Sequence, residues 1–121
     1  MAWRYEQATG AMLKANGELA GTGYSGSPLA RNDPARQAEQ NVGPIPRGLW
    51  RLVALLQHSD HGPYAIVLLP NKDTITYGRS GFLIHGDSIP HPGAASHGCI
   101  IQPYETRVSM WTSGDHDLEV V

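Results

Sequence analysis

The sequence predicts a mainly β fold, a sandwich or partly closed barrel with one or two short helices, as a single domain over residues 1–121. Three observations carry this. Its apolar and alternating segments have strand length, about four to eight residues. Asn16-Gly17 stands between two of them, and Asn-Gly is a preferred hairpin turn because both residues tolerate positive φ. Fourteen glycines and nine prolines supply turns for many short elements.

Taken in order, Trp3 to Gln7 alternates aromatic and polar residues, which is strand periodicity. Thr9-Gly10 turns, Ala11 to Ala15 resumes as a strand, and Glu18 to Ala20 follows the Asn-Gly turn. The chain then runs through Gly21-Thr22-Gly23-Tyr24-Ser25-Gly26, so the first 26 residues read as a β-meander. From Ser27 to Arg47 the pattern breaks. Asp33-Pro34 ahead of Ala35 to Gln40 has the form of an N-cap, a proline at N1 and a short helix. Such a long connection is either an active-site flank or a surface loop.

Gly43-Pro44-Ile45-Pro46-Arg47-Gly48 leads into Leu49 to Leu56, whose Trp and Val favour a strand. After a polar turn at His58 to Pro63, Tyr64 to Leu69 reads as a buried strand and Thr74 to Tyr77 as a short one. Pro103 to Trp111 carries apolar residues at Tyr104, Val108 and Trp111, which predicts one amphipathic helix with that stripe inward. Asp117 to Val121 closes as a strand.

Composition removes several functions. A net charge of −2 and a pI near 6.3 provide no basic field, which argues against nucleic-acid binding and a polybasic membrane anchor. One cysteine forbids an internal disulfide. The longest apolar stretch, Ala65 to Leu69, is too short to span a bilayer. Met1 to Gln7 lacks the apolar region of a signal peptide, so the expectation is synthesis in the cytosol and export only by a route that reads no such signal.

Chemistry concentrates between Gly81 and Ile101. This stretch holds Cys99 and three of the six histidines, His85, His91 and His97. Phe82-Leu83-Ile84 delivers His85 to its end, and Cys99 opens the apolar Ile100-Ile101. If those runs are neighbouring strands, thiol and imidazole face each other across a loop mouth. A thiol attacks as thiolate and needs a base, which in turn needs a group to fix its tautomer. Gly98 clears space beside the thiol, so N–H groups around Gly98-Cys99 could receive an oxyanion. Against this stands a bland alternative, a small buried cysteine between apolar neighbours. A zinc site built from His85, Asp87, His91, His97 and Cys99 is a third reading, although their spacing matches no common zinc pattern. His58, Asp60 and His61 read as a solvated turn.

Ile84-His85-Gly86 followed by Ser96-His97-Gly98-Cys99-Ile100 resembles the signature of L,D-transpeptidase (YkuD-like) catalytic domains. More of the chain resembles one branch, the L,D-transpeptidase toxins delivered by type VI secretion. Those pieces are Trp3-x-Tyr5-x-Gln7 with Thr9-Gly10, Gly23-Tyr24-Ser25-Gly26, Asn32, Gly43-Pro44-Ile45-Pro46-x-Gly48 and Gly78-Arg79-x-Gly81-Phe82-x-Ile84-His85-Gly86-Asp87. The resemblance implies Cys99 as nucleophile, His85 as base and the Gly86 carbonyl as the group orienting the ring. Ser96, His97 and Gly98 would shape the pocket. It also implies a substrate, the tetrapeptide stem of peptidoglycan, cut between its diamino acid and terminal D-Ala. The acyl-enzyme would pass to water, to a free D-amino acid or to another stem. No cofactor or metal is implied; an immunity protein and type VI secretion components are the expected partners, with action in the periplasm of a target bacterium.

Two departures from that pattern bear on chemistry. Only ten residues separate His85 from Ser96, which shortens the region of a lid or acceptor side. Ile101 replaces an arginine often found two residues after the cysteine, leaving Arg79 as the substitute cation for a substrate carboxylate. Tyr24 and Asp87 are further candidates for substrate contact. Both departures favour stem trimming over cross-linking by a housekeeping enzyme. A non-catalytic β domain binding wall fragments or a protein remains the reading from another class.

Overall fold

The computed structural model describes residues 2–121. Among these residues nine strands form one sheet, with one α-helix and one 3₁₀ turn. In chain order the strands are β1 (Trp3–Tyr5), β2 (Ala11–Leu13), β3 (Leu19–Thr22), β4 (Tyr24–Ser25), β5 (Gly48–Leu56), β6 (Ala65–Pro70), β7 (Leu83–His85), β8 (Ile100–Ile101) and β9 (Asp117–Val120); the helix α1 is Tyr104–Thr112. Their spatial order is β3-β2-β1-β9-β5-β6-β7-β8-β4. The two edge strands, β3 and β4, are consecutive in the chain and joined through Gly23. A side chain at Gly23 would overlap the Ile101 carbonyl, so only glycine lets this link pass so close to β8. The result is a nearly closed, barrel-like sheet, as expected.

Inside lie Tyr5, Met12, Trp50, Leu52, Ile66, Leu68, Ile84, Ile100, Met110 and Leu118, all sealed from solvent. Along β5 alternation is visible at Leu49-Trp50-Arg51-Leu52, where Trp50 and Leu52 turn inward and Leu49 and Arg51 outward. Trp50 meets Phe82 edge to face at 5.1 Å between ring centroids.

The β1-β2-β3 meander forms with its Asn16-Gly17 turn, where Gly17 has a φ of 88°. It does not extend to Gly26. Tyr24-Ser25 leaves it to pair with β8, Tyr24 opposite Ile101 and Ser25 opposite Ile100. The expected helix after Pro34 is a single 3₁₀ turn, Pro34–Arg36, with the Asp33 carboxylate accepting from the Ala35 N–H. It stops there as no backbone N–H among the described residues donates to the next carbonyl of the series, that of Ala35, and the Gln37 carbonyl accepts from the Arg79 guanidinium.

Two further expectations fail. Thr74 to Tyr77 is not a strand. The Thr74 hydroxyl donates to the Leu49 carbonyl at 2.7 Å and accepts from its N–H at 3.0 Å, so a side chain takes the place of a ladder. Tyr77 has a φ of 57°, outside strand geometry. The helix α1 forms, but its buried residues are Thr106, Arg107 and Met110, and Tyr104 is half exposed. Thr106 and Arg107 lie inside because backbone carbonyls wait there: Ala20 for the hydroxyl, Gln102, Pro63 and Tyr64 for the guanidinium.

Candidate active site

Strands β7 and β8 run parallel, with Ile84 opposite Ile100 and His85 opposite Ile101. Both isoleucines fill the core, so alternation turns His85 to the other face of the sheet, together with the residue just before Ile100, Cys99. The two apolar runs are thus neighbouring strands, and they present imidazole and thiol to one cavity of about 170 Å³.

Cys99 is half-buried. Its sulfur accepts from the Leu83 N–H at 3.3 Å and lies 3.8 Å from the Gly81 carbonyl. Burial pushes the thiol above its ordinary range, and the Leu83 N–H and the Arg79 charge pull only partly back. His85 is buried, and its Nδ1 lies 2.9 Å from the Gly86 carbonyl. A carbonyl accepts and never donates, so Nδ1 carries the hydrogen and Nε2 keeps its lone pair. Nε2 is sealed and has no partner. Burial moves this imidazole below its ordinary value; His61 and Arg107 push the same way, while the Gly86 carbonyl and Asp87 oppose them. Both shifts favour the uncharged forms, thiol and neutral imidazole.

Ser96 is a buried hub. Its hydroxyl donates to the Cys99 carbonyl at 2.6 Å and accepts from the N–H groups of Gly26 at 2.9 Å and Gly98 at 3.0 Å. The Gly98 N–H is thus occupied, and the N–H of Cys99 itself is the amide beside the sulfur that makes no bond among the described residues. Gly98 has a φ of 140°, and a Cβ there would stand 2.5 Å from the Arg79 Nη2. His97 is exposed at the rim, its Nδ1 3.3 Å from the Asn41 carbonyl. His91 is exposed in the loop.

The three residues expected to contact substrate are engaged within the protein. Arg79 is buried, and its terminal nitrogens donate to the carbonyls of Gln37, Pro44, Gly43 and His97, with Pro44 and Gly43 at 2.8 and 2.9 Å. It fastens the 37–44 segment beside the thiol. Tyr24 donates to Asp87 at 2.5 Å and accepts from the Ala95 N–H at 3.0 Å. Burial and that carboxylate push the phenol up to about 12. Asp87 also accepts from the Ser88 and Gly93 N–H groups. Burial raises its carboxyl, but these donors and the Arg31 charge outweigh it, so it lies below the usual carboxylate range. Together Tyr24 and Asp87 clip the 86–95 loop to β4.

Two contributors escape the sequence. His61, read as part of a solvated turn, stacks on His85 at 4.7 Å between centroids and 28° between planes. It borders both the thiol cavity and a larger cleft of about 880 Å³ that His85 also lines. Nothing in the sequence marks it, because the contact needs the β5–β6 hairpin to fold over β7. Ser25 donates to the Gly98 carbonyl at 2.8 Å and accepts from the Ile45 N–H at 2.8 Å. Its proximity to the cysteine turn follows from the β4–β8 pairing, which no local pattern announces. Among the described residues no three His, Cys, Asp or Glu side chains gather as a metal requires, and no helix is long and apolar enough to cross a membrane.

A small barrel-like β protein whose imidazole ends one strand and whose thiol immediately precedes its parallel neighbour is the class that fold and site define. The Tlde1 domain model matches residues 20–120, from β3 to the end of β9. The chain belongs to that family, a family of type VI secretion effectors. Strands β1 and β2 precede the matched stretch. No curated protein and no solved structure matches the chain.

Proposed function

We propose that this protein is a cysteine acyl-transferase acting on peptidoglycan tetrapeptide stems, releasing the terminal D-Ala or exchanging it for another D-amino acid. The observation that carries the reading is His85, which lines the cavity that holds Cys99 and keeps an unpartnered Nε2, its tautomer fixed by the Gly86 carbonyl. As the sulfur attacks the carbonyl between diamino acid and D-Ala, Nε2 takes the thiol proton. The carbonyl oxygen becomes an oxyanion beside the Cys99 N–H. When the C–N bond breaks, Nε2 returns that proton to the leaving D-Ala amine, and a thioester remains. Water or a D-amino acid amine then attacks, with His85 as base again, and the thiol is restored. As an effector the protein would meet this substrate in the periplasm of a rival cell, depleting the donor stems of its wall, while an immunity protein shields the producer.

Mass spectrometry of purified stem peptides tests the reading. The wild type releases D-Ala from tetrapeptides and none from pentapeptides. Cys99→Ala abolishes release, and His85→Ala lowers it by roughly 10²–10⁴-fold. An active Cys99→Ala protein overturns the mechanism.

A further inference from the structure

The larger cleft, about 880 Å³, shares His85 with the thiol cavity and continues past Gly86 to Tyr104 and Arg107 on α1. Arg107 is 6% exposed. Its Nε donates to the Gln102 carbonyl at 3.2 Å, and its Nη1 donates to those of Pro63 at 2.8 Å and Tyr64 at 3.0 Å. Nη2 donates to nothing among the described residues, yet it is not one of the sealed unpartnered atoms, so it opens onto the cleft. The site is kept clear by glycine: a Cβ at Gly86 would stand 2.8 Å from Nη2. None of the four ion pairs among the described residues involves Arg107. A buried guanidinium without a carboxylate is an uncompensated charge, and its natural complement is an anion.

Arg79, the other buried arginine, offers no such opening, since both of its terminal nitrogens already donate to carbonyls. Asp60 and Asp87 line the Arg107 cleft as well, so it presents both signs of charge. Asp87 is already filled by Tyr24, Ser88 and Gly93. Charges of both signs in one cleft suit an amino-acid group rather than a simple anion.

We propose that Arg107 Nη2 binds a carboxylate of the stem peptide in the cleft adjoining His85, and so selects which residue lies across the Cys99 thiol. The inference rests on the reading above for its substrate class. Among the stem's carboxylates, two belong to the residues flanking the bond to be cut, that of the terminal D-Ala and the side-chain carboxylate of the diamino acid, and these are the two the cleft beside His85 would take.

Three tetrapeptides separate them: one with both carboxylates free, one ending in D-alaninamide, and one amidated on the diamino acid side chain. Calorimetry on Cys99→Ala protein measures affinity without turnover, and D-Ala or D-alaninamide release by the wild type measures kcat/KM. One amidated stem is expected to bind about 10-fold or more weakly than the free acid, as loss of a charge-assisted bond implies. Which amide loses affinity identifies the carboxylate. In an Arg107→Gln, Cys99→Ala background, which retains amide donors for structure, that discrimination collapses toward unity. The substrate-side comparison uses an unaltered Arg107 and needs no folding control. Equal binding of all three stems, discrimination that survives Arg107→Gln, or binding of none overturns the proposal. Carboxylate-dependent binding without any release by the wild type would instead overturn the acyl-transfer reading and leave Arg107's role standing.

Discussion

The two sides of the barrel are held together by different physics. Around β5, β6 and β9 the ladders are long, with one register shift between Leu52 and Ala54, and Trp50, Leu52, Ile66, Leu68 and Leu118 seal the interior. Around β7, β8 and β4 the strands are two or three residues long. There, Ser25, Ser96, Arg79 and the Tyr24–Asp87 pair bind loop backbone to sheet. Apolar burial is strong and non-directional, whereas polar ties fix atoms at set angles. The aliphatic side supplies stability, and the polar side places a thiol and an imidazole outside the core while keeping both largely from water.

That division can be broken from either side. Leu68→Ala removes a sealed side chain opposite Leu52 and is expected to cost about 2–5 kcal/mol in denaturant or thermal unfolding. The rate at which Cys99 is alkylated in the folded protein should stay as it was. If alkylation changed along with stability, the two sides would be one cooperative unit and the contrast would fail.

Arg79 probes the other side. Both Arg79→Gln and Arg79→Lys break the fork that holds Gly43 and Pro44, with an expected loss of roughly 2–3 kcal/mol. They differ in charge. Since the Arg79 cation favours the Cys99 thiolate, Arg79→Gln should place the alkylation midpoint at higher pH than Arg79→Lys does. Equal midpoints would reduce Arg79 to a fastener with no electrostatic part in the site.

The same contrast governs what could be read from the sequence. Strands β5, β6 and β9 were legible because their apolar residues recur locally with strand periodicity, and Asp33 and Asn16-Gly17 act on immediate neighbours. His85 and Cys99 were legible as ends of two apolar runs. The polar side was not. Ser25 looks like a turn serine, and Ser96, marked for the pocket by resemblance alone, shows no hub role until distant segments bring carbonyls and N–H groups to both. The inward face of α1 was misjudged for the same reason. An apolar stripe at Tyr104, Val108 and Trp111 is visible in sequence, but the carbonyls that satisfy a buried Arg107 come from Pro63 and Tyr64 on another hairpin. His61 was hidden for want of any local trace of its stacking partner.

The smallest expected effect joins the two sides through His85. Its folded-state imidazole lies below the ordinary 6.5, chiefly through burial. The unfolded chain therefore takes up this proton first as pH falls through 6.5, and stability drops until pH passes the folded value, below which the loss levels off. Above 6.5 the ring is neutral in both states and contributes no slope. Melting temperatures of wild type and His85→Gln, compared from about pH 7.5 to about pH 5, should converge as pH falls. If His85 is the base, the acid limb of kcat/KM falls in the same window. His61→Ala sharpens this, because it removes a charge that depresses His85 and opens the ring to water, so the limb should move to higher pH. A limb that stays in place would mean that the group titrating in catalysis is not the imidazole that His61 covers.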